Sequence, residues 1–309
     1  MATILITGGT GLVGRALRKA LLEKGHSVII LTRKIEVMAN HPQSKNGIQW
    51  AQWNVESQTI DKDAVAKADY IIHLAGAGVA DKRWTKNRKQ EILDSRVKSG
   101  ALLVNALNKI ENKVKAVITA SAIGWYGADP VIPNPNPFLE DAPADTAFLG
   151  DTCRQWEQSI EPVTQIKKRL VKLRIGIVLS KDGGALKEFI KPLQFGVAAI
   201  LGNGKQMISW IHIDDLVNMF LAAIENENMN GVYNAVAPQP VSNKELTLEL
   251  ARSRKKFFIP FYVPSFILKL MLGEMSIEIL KSATVSSTKI HQAGFNFKFP
   301  DIKSALKNR

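Results

Sequence analysis

Cysteine is almost missing from this chain: Cys153 stands alone among 309 residues. A lone thiol excludes an intrachain disulfide and fits a reducing compartment, so the cytoplasm is the expected location. Long apolar runs are scarce too. The most apolar late window, "FFIPFYVPSFILKLMLG", is broken by Pro260, Pro264 and Lys269. A membrane span needs about 20 predominantly apolar residues, so a buried helix and its lead-in are expected there, and no membrane partner. The opening "MATILITGGT" has no basic stretch ahead of its apolar residues, which excludes a signal-peptide reading of that segment. Acidic residues are in deficit, 28 against 41 basic ones, for a formal net charge of +13. Such an excess can serve nucleic-acid phosphates, or it can be a solvated surface whose field draws anionic cofactors and substrates. Basic clusters occur at Lys82, Arg83, Lys86, Arg88 and Lys89, with no zinc-ligand spacing or aromatic-rich motif beside them. Nucleic acid is disfavoured.

What is present is a repeating alternation of strand and helix. "TILIT" is a continuous apolar run suited to a buried parallel strand, followed by the turn "GGTGLVG" and a helix closed by Gly25. "SVIILTR", "ADYIIHLAG" and "KAVITASA" read as further strands, with the helix "RVKSGALLVNALNKI" between the last two. "RLVKLRIGIVL" and "GVYNAVA" complete the strand set, and Ser242 with Glu245 has the capping-box spacing of a helix start. The fold class predicted is α/β: a Rossmann-type doubly wound parallel sheet with a smaller substrate lobe and a C-terminal helical appendage. Residues 1–235 form the dinucleotide-binding domain, with lobe segments inserted after about residue 180, and residues 236–309 form the C-terminal lobe.

Gly8, Gly11 and Gly14 sit between the first strand and its helix. Glycines there let the backbone turn tightly and approach a pyrophosphate, while the helix N-terminus supplies free N–H groups and partial positive charge. Gly9, Thr10, Leu12 and Val13 belong to the same turn. The second strand ends at Arg33 and Lys34, where an NAD site would place an acidic residue for the ribose. A guanidinium pairs with a 2′-phosphate, which favours NADP over NAD. The alternative is a surface arginine at a strand end.

The ordered motifs "TGGTGLVG", "HLAGAGVADKRW", "SRVKSG", "SAIGWYG", "FLGDTCRQWE", "LRIGIVLS", "GNGKQMISWIHIDDLV" and "AGFNFKFPD" span nearly the whole chain. On them the chain resembles the atypical extended short-chain dehydrogenase/reductases, the NAD(P)-dependent epimerase/dehydratase family with its small C-terminal domain. The resemblance implies that Asn54 and Val55 lie near the adenine, that Leu74, Ala75 and Gly76 pass beneath the cofactor, and that Ser121 faces the nicotinamide. Measured back from Tyr126 and Gly127, the usual catalytic hydroxyl falls at Ala122. Arg96 would face the cofactor cleft, and Gln206 and Glu140 are candidate substrate contacts.

The resemblance breaks in "TAFLGDTCRQWEQSIE". Ordinary members carry a tyrosine and, four residues on, a lysine that lowers its pKa. Aligning on Glu157 puts Leu149 and Cys153 at those positions. Leucine transfers no proton. Candidate replacements are Tyr126, Asp151, Glu157, Cys153 and the pair Glu140–Asp141; each has a structural alternative as packed aromatic, cap, packed thiol or solvated acid. Two functions remain open: an NADP-dependent epimerase or reductase acting on a nucleotide-sugar or similar anionic small molecule, or a non-catalytic NADP(H)-binding regulator.

Overall fold

The structure, a computed structural model, describes residues 1–33, 47–255 and 257–307. Strand β1 (Thr3–Thr7) leads through the glycine turn into helix α1 (Leu12–Glu23) and strand β2 (Ser27–Thr32). Next come β3 (Ile48–Asn54), the short β4 (Thr59–Ile60), α2 (Lys62–Lys67) and β5 (Tyr70–His73). Helix α3 (Lys86–Lys109) precedes β6 (Ala116–Ala122), and α4 (Phe148–Ile160) precedes β7 (Arg169–Ile175). Alpha-three starts ten residues before the apolar pattern suggests, because Thr85 accepts a hydrogen bond from the Arg88 N–H at 3.2 Å and caps it there.

The main sheet has strand order β13-β7-β6-β5-β1-β2-β3-β4, where β13 is Gly231–Ala235. All pairs are parallel except β3 with β4. Chain order reverses across β1, which lies between β2 and β5, so a crevice opens beyond their carboxyl ends. Both faces of β1 are buried, as its unbroken run of Ile4, Leu5 and Ile6 requires.

The run "RLVKLRIGIVL" is two strands rather than one. A Cβ at Gly176 would lie 2.7 Å from the Ser209 carbonyl oxygen, and at this close approach the chain leaves the main sheet for β8 (Ile177–Ser180). With β9 (Gly183–Gly184) and β12 (Trp210–His212), β8 forms a three-stranded sheet in the smaller lobe. Helix α5 (Ala185–Leu193), β10 (Val197–Leu201), β11 (Met207–Ile208), helix α6 (Ile213–Glu225), β14 (Val241–Ser242) and helix α7 (Asn243–Ser253) build the rest of that region. Ser242 caps α7 by accepting from the Glu245 N–H at 3.1 Å, as its spacing predicts.

His212 caps α6, its Nδ1 accepting from the Asp214 N–H at 3.2 Å. Asp215 is buried and accepts from the Lys298 and Phe299 N–H groups at 2.8 and 3.0 Å, pinning the C-terminal segment. One expectation fails here: the apolar window before residue 273 is not a buried helix. It forms strand β15 (Ile259–Val263), paired with β10, and helix α8 (Ser265–Leu272), with most of its large side chains exposed. No helix among the described residues is long and apolar enough to cross a membrane.

Candidate functional site

Each glycine of the N-terminal turn answers a different need. Gly8 has φ +70, and a Cβ there would meet the Leu74 carbonyl at 2.8 Å. At Gly14 a Cβ would stand 2.4 Å from the Gly8 oxygen, so only glycine lets α1 pack against the turn. Gly9 is pressed against Ile30. Gly11 is different: a Cβ would meet only the Gly8 oxygen, at 3.4 Å, so the protein itself tolerates a side chain. Bareness at Gly11 suits a group arriving from outside. Gly11 is also the N-cap of α1, with no side-chain cap and no acid in the first turn. The N–H groups of Leu12, Val13 and Gly14 have no partner within the helix and point out of its positive end, beside exposed Thr10. That donor set fits a pyrophosphate.

A buried bracket holds this turn against the loop after β5. The Thr7 hydroxyl accepts the Leu74 and Ala75 N–H groups, both at 3.1 Å, and lies 2.7 Å from His73 Nδ1. The Ser99 hydroxyl donates to the Ser95 carbonyl at 2.7 Å, so His73 Nε2–H donates to Ser99 across 3.3 Å. His73 is therefore neutral, and burial, helped by the charge of Arg96, lowers its pKa from 6.5 to about 3. Below pH 6.5 the unfolded chain takes up a proton that the folded chain refuses. Stability is complete above that pH and declines towards pH 3, by up to about 1.4 kcal/mol per pH unit. Urea midpoints compared at neutral and mildly acidic pH are expected to show that slope, and His73→Gln to flatten it; an unchanged slope in the variant would contradict the bracket.

Around the turn, Arg33 is exposed at the end of β2, free of steric cover, while Lys34 lies outside the described residues. The Asn54 side chain is committed to a local turn, its Oδ1 accepting from the Glu56 and Ser57 N–H groups at 3.0 and 3.1 Å. Its amide nitrogen, the backbone there and half-buried Val55 remain for an adenine. Leu74, Ala75 and Gly76 follow directly after β5, the first two half-buried and the third exposed. Arg96 lies buried beside Gly76, donates only to the Ala77 and Ile92 carbonyls at 3.0 and 2.9 Å, and sits 5.0 Å over the Trp156 ring. Among the described residues no carboxylate pairs with it. A buried guanidinium with no counter-charge suits an anionic ligand at this edge.

The catalytic candidates fare differently. Ser121 is buried and donates to Glu157 Oε1 at 2.7 Å. Arg174 binds the same carboxylate through Nε at 2.8 Å and Nη2 at 3.1 Å, and donates through Nη1 to the Tyr126 hydroxyl at 3.0 Å. Tyr126 is fully buried and donates to Asn234 Oδ1 at 2.6 Å. Burial raises its pKa above the usual phenol value. Glu140 Oε1 accepts from the Asn234 N–H at 2.8 Å, closing the network at the sheet edge. Ser121, Tyr126 and Glu157 are thus joined to one another and to Arg174 in the interior, while half-buried Glu140 joins the network from the loop before α4. Gln206 is also buried, donating to the Leu201 carbonyl at 3.0 Å.

Cys153 is buried beside Gly124 and Arg96, and burial pushes its thiol up to about 12. A proton held that tightly does not exchange near neutrality. Asp151 is half-buried and paired with Arg154, whose hydrogen bond holds its carboxyl below the usual range. Leu149 packs with Trp84, Phe148, Ile92 and Met275 as an apolar wall where the tyrosine would stand. Arg174, which ties Ser121's partner to Tyr126, escaped the sequence reading. The available signal was an arginine in mid-strand, between Leu173 and Ile175, within the largely apolar run "RLVKLRIGIVL".

Known proteins agree with this architecture. Residues 4–148 match the model of the NAD dependent epimerase/dehydratase family, and residues 263–308 match a domain of unknown function, DUF1731. An epimerase family protein of Staphylococcus saprophyticus is 36% identical over 100% of this chain and 99% of its own length. The Bacillus subtilis epimerase family protein YfhF is 35% identical over 98% of this chain and 96% of its own. The crystal structure of human epimerase family protein SDR39U1 with NADPH superposes with a TM-score of 0.84 at 27% identity, covering 99% of this chain and 98% of that one. Fold, glycine turn and full-length relatives converge: the chain belongs to the NAD-dependent epimerase/dehydratase family.

Proposed function

We propose that this protein is an NADP(H)-dependent epimerase or reductase that acts on a nucleotide-sugar or similar anionic small molecule without a Tyr-x-x-x-Lys relay. One contrast carries the reading: the cofactor cradle at Gly8–Gly14 is bare and uncapped, whereas Ser121, Tyr126, Cys153 and Glu157 are buried and Asp151 and Glu140 already accept hydrogen bonds. That leaves exposed Asp141 as the one candidate acid open to solvent. The N–H groups of the Gly8–Gly14 turn would hold the pyrophosphate, and Arg33 the 2′-phosphate. Val55 and the Asn54 backbone would border the adenine, Leu74 to Gly76 would lie beneath, and Arg96 would meet the nicotinamide side. The human relative's structure with NADPH supports this preference.

When bound, the nicotinamide would exchange a hydride with a substrate carbon beyond β6. The protein's own contribution is positional. Thr7, His73 and Ser99 fix the turn, and Trp84, Phe148 and Leu149 keep water from one side of the site. Exposed Arg83 and Lys86 rim it with positive charge, which suits an anionic substrate. The proton would pass to or from solvent or the substrate itself. General acid–base help is typically worth 10²–10⁴-fold, about 3–5 kcal/mol, so turnover is expected to be slow.

A direct test assays NADPH or NADP⁺ with a panel of nucleotide-sugars and other anionic carbonyl and hydroxy compounds, scoring product. Slow turnover that survives Asp151→Asn and Cys153→Ser within about threefold fits a solvent proton; a drop near 10²-fold would restore one of them as donor. No turnover on any substrate would favour the second reading, a non-catalytic NADP(H)-binding regulator, for which Leu149's place in an apolar cluster is the supporting observation.

A further inference from the structure

The segment from Arg252 to Gly273 holds no acidic residue, and most of its large apolar side chains face outward, Phe258, Leu268 and Leu272 turning inward as its anchors. Phe257 is 85% exposed, Phe266 69%, Leu270 77% and Met271 67%, joined by Ile259 and Phe261 on β15. Phe195 lies at the same end, because the Ile259 N–H donates to the Gly196 carbonyl at 2.8 Å. Tyr262, next to Phe261 on β15, points to the other side of the strand. At roughly 200 Å² for an aromatic side chain, the exposed rings of Phe195, Phe257, Phe261 and Phe266 present about 600 Å², to which Leu270 and Met271 add. The largest apolar patch of an ordinary monomer is about 300–600 Å², so this face is built to be covered.

Two features choose the occupant. The charges within the segment are all of one sign: Arg254, Lys255, Lys256 and Lys269 accompany the apolar residues, and among the described residues of the segment Arg252 alone has an acidic partner, Glu249. A second copy would bring like charges together, whereas an anionic surface complements them. Strand addition is also poorly served. Ile259, Phe261 and Val263 direct their backbone groups to β10, leaving Pro260 and Tyr262 on the open edge, and Pro260 has no N–H to offer. The same lack lowers the cost of placing this edge at an apolar boundary, where unpaired backbone donors are expensive.

We propose that β15 and α8 form a docking face for an anionic lipid bilayer surface, with Phe261, Phe266, Leu270 and Met271 entering the headgroup boundary and Lys255 and Lys269 meeting lipid phosphates. The chain lies on the membrane without spanning it.

The test is flotation of the full-length protein with vesicles of phosphatidylcholine alone and with vesicles in which one lipid in three is phosphatidylglycerol. Binding is expected to the anionic vesicles only, and to weaken as salt is raised to about 0.5 M. Lys255→Gln with Lys269→Gln is expected to weaken it about 25-fold, roughly fivefold for each basic residue. Phe266→Ser with Leu270→Ser is expected to weaken it at least about tenfold with the melting temperature unchanged, since both side chains are already exposed. No flotation with either vesicle would overturn the proposal. So would elution at twice the chain mass abolished by Phe266→Ser and Leu270→Ser, which would assign the face to a second copy.

Discussion

Arg174→Met is expected to cost about 3–5 kcal/mol of folding stability, because it leaves Glu157 as a buried carboxylate with its strongest partner removed. Arg174 and Glu157 are both almost fully buried and share two hydrogen bonds, at 2.8 and 3.1 Å. Among the described residues the only other cation paired with the carboxylate is Lys172, at 3.9 Å and already closer to Glu161. The same arginine holds the Tyr126 hydroxyl and the Glu140 carbonyl and stacks 3.6 Å over the Trp125 ring, so its loss loosens β6, β7 and α4 together. Urea unfolding measures the cost. Adding Glu157→Gln to Arg174→Met removes the stranded charge and is expected to recover part of it. A cost below about 1 kcal/mol would mean that the pair behaves like an exposed salt bridge, and that Ser121, Glu157 and Tyr126 are freer for chemistry than their burial implies.

Gly11→Val is expected to abolish NADPH binding, by about 100-fold or more, while leaving the fold intact. Inside the protein a Cβ at residue 11 meets only the Gly8 oxygen, at 3.4 Å. Outside it, a branched side chain would occupy the approach to the N–H groups of Leu12 and Val13, where a pyrophosphate would gain several charge-assisted hydrogen bonds. Gly14→Ala is the contrast. Its Cβ would fall 2.4 Å from the Gly8 oxygen, so it is expected to lower the melting temperature as well as affinity. Nicotinamide fluorescence and thermal melts on the two variants separate the roles. Equal affinity for NADPH in Gly11→Val and the parent would place the cofactor elsewhere.

The N-terminal half was legible because its signals are local. Five consecutive strand residues, three spaced glycines and an amphipathic helix are neighbours in sequence and in space, so β1, the turn and α1 follow directly. The crossover at Gly176 was not, since its cause is the Ser209 backbone, far along the chain. The site shows the same division. Leu149 and Cys153 depart by residue type from the Tyr-x-x-x-Lys pattern that the resemblance implies when the stretch is aligned on Glu157. That Ser121 and Tyr126 turn inward depends on Glu157, Arg174 and Asn234 converging from α4, β7 and β13, which no short window contains. The apolar window near the C-terminus misled for a related reason. Composition says that a surface wants covering, and burial within the same chain is only one way to cover it.

The most direct measurement is a side-by-side titration of the purified protein with NADPH and NADH, followed by nicotinamide fluorescence and repeated on Arg33→Ser. The parent is expected to bind NADPH at least about tenfold more tightly than NADH, and Arg33→Ser to remove most of that preference by deleting the charged partner of the 2′-phosphate. Equal affinity for the two cofactors, or a preference that survives Arg33→Ser, would contradict the assignment. Failure to bind either would remove the dinucleotide from the account of the glycine turn.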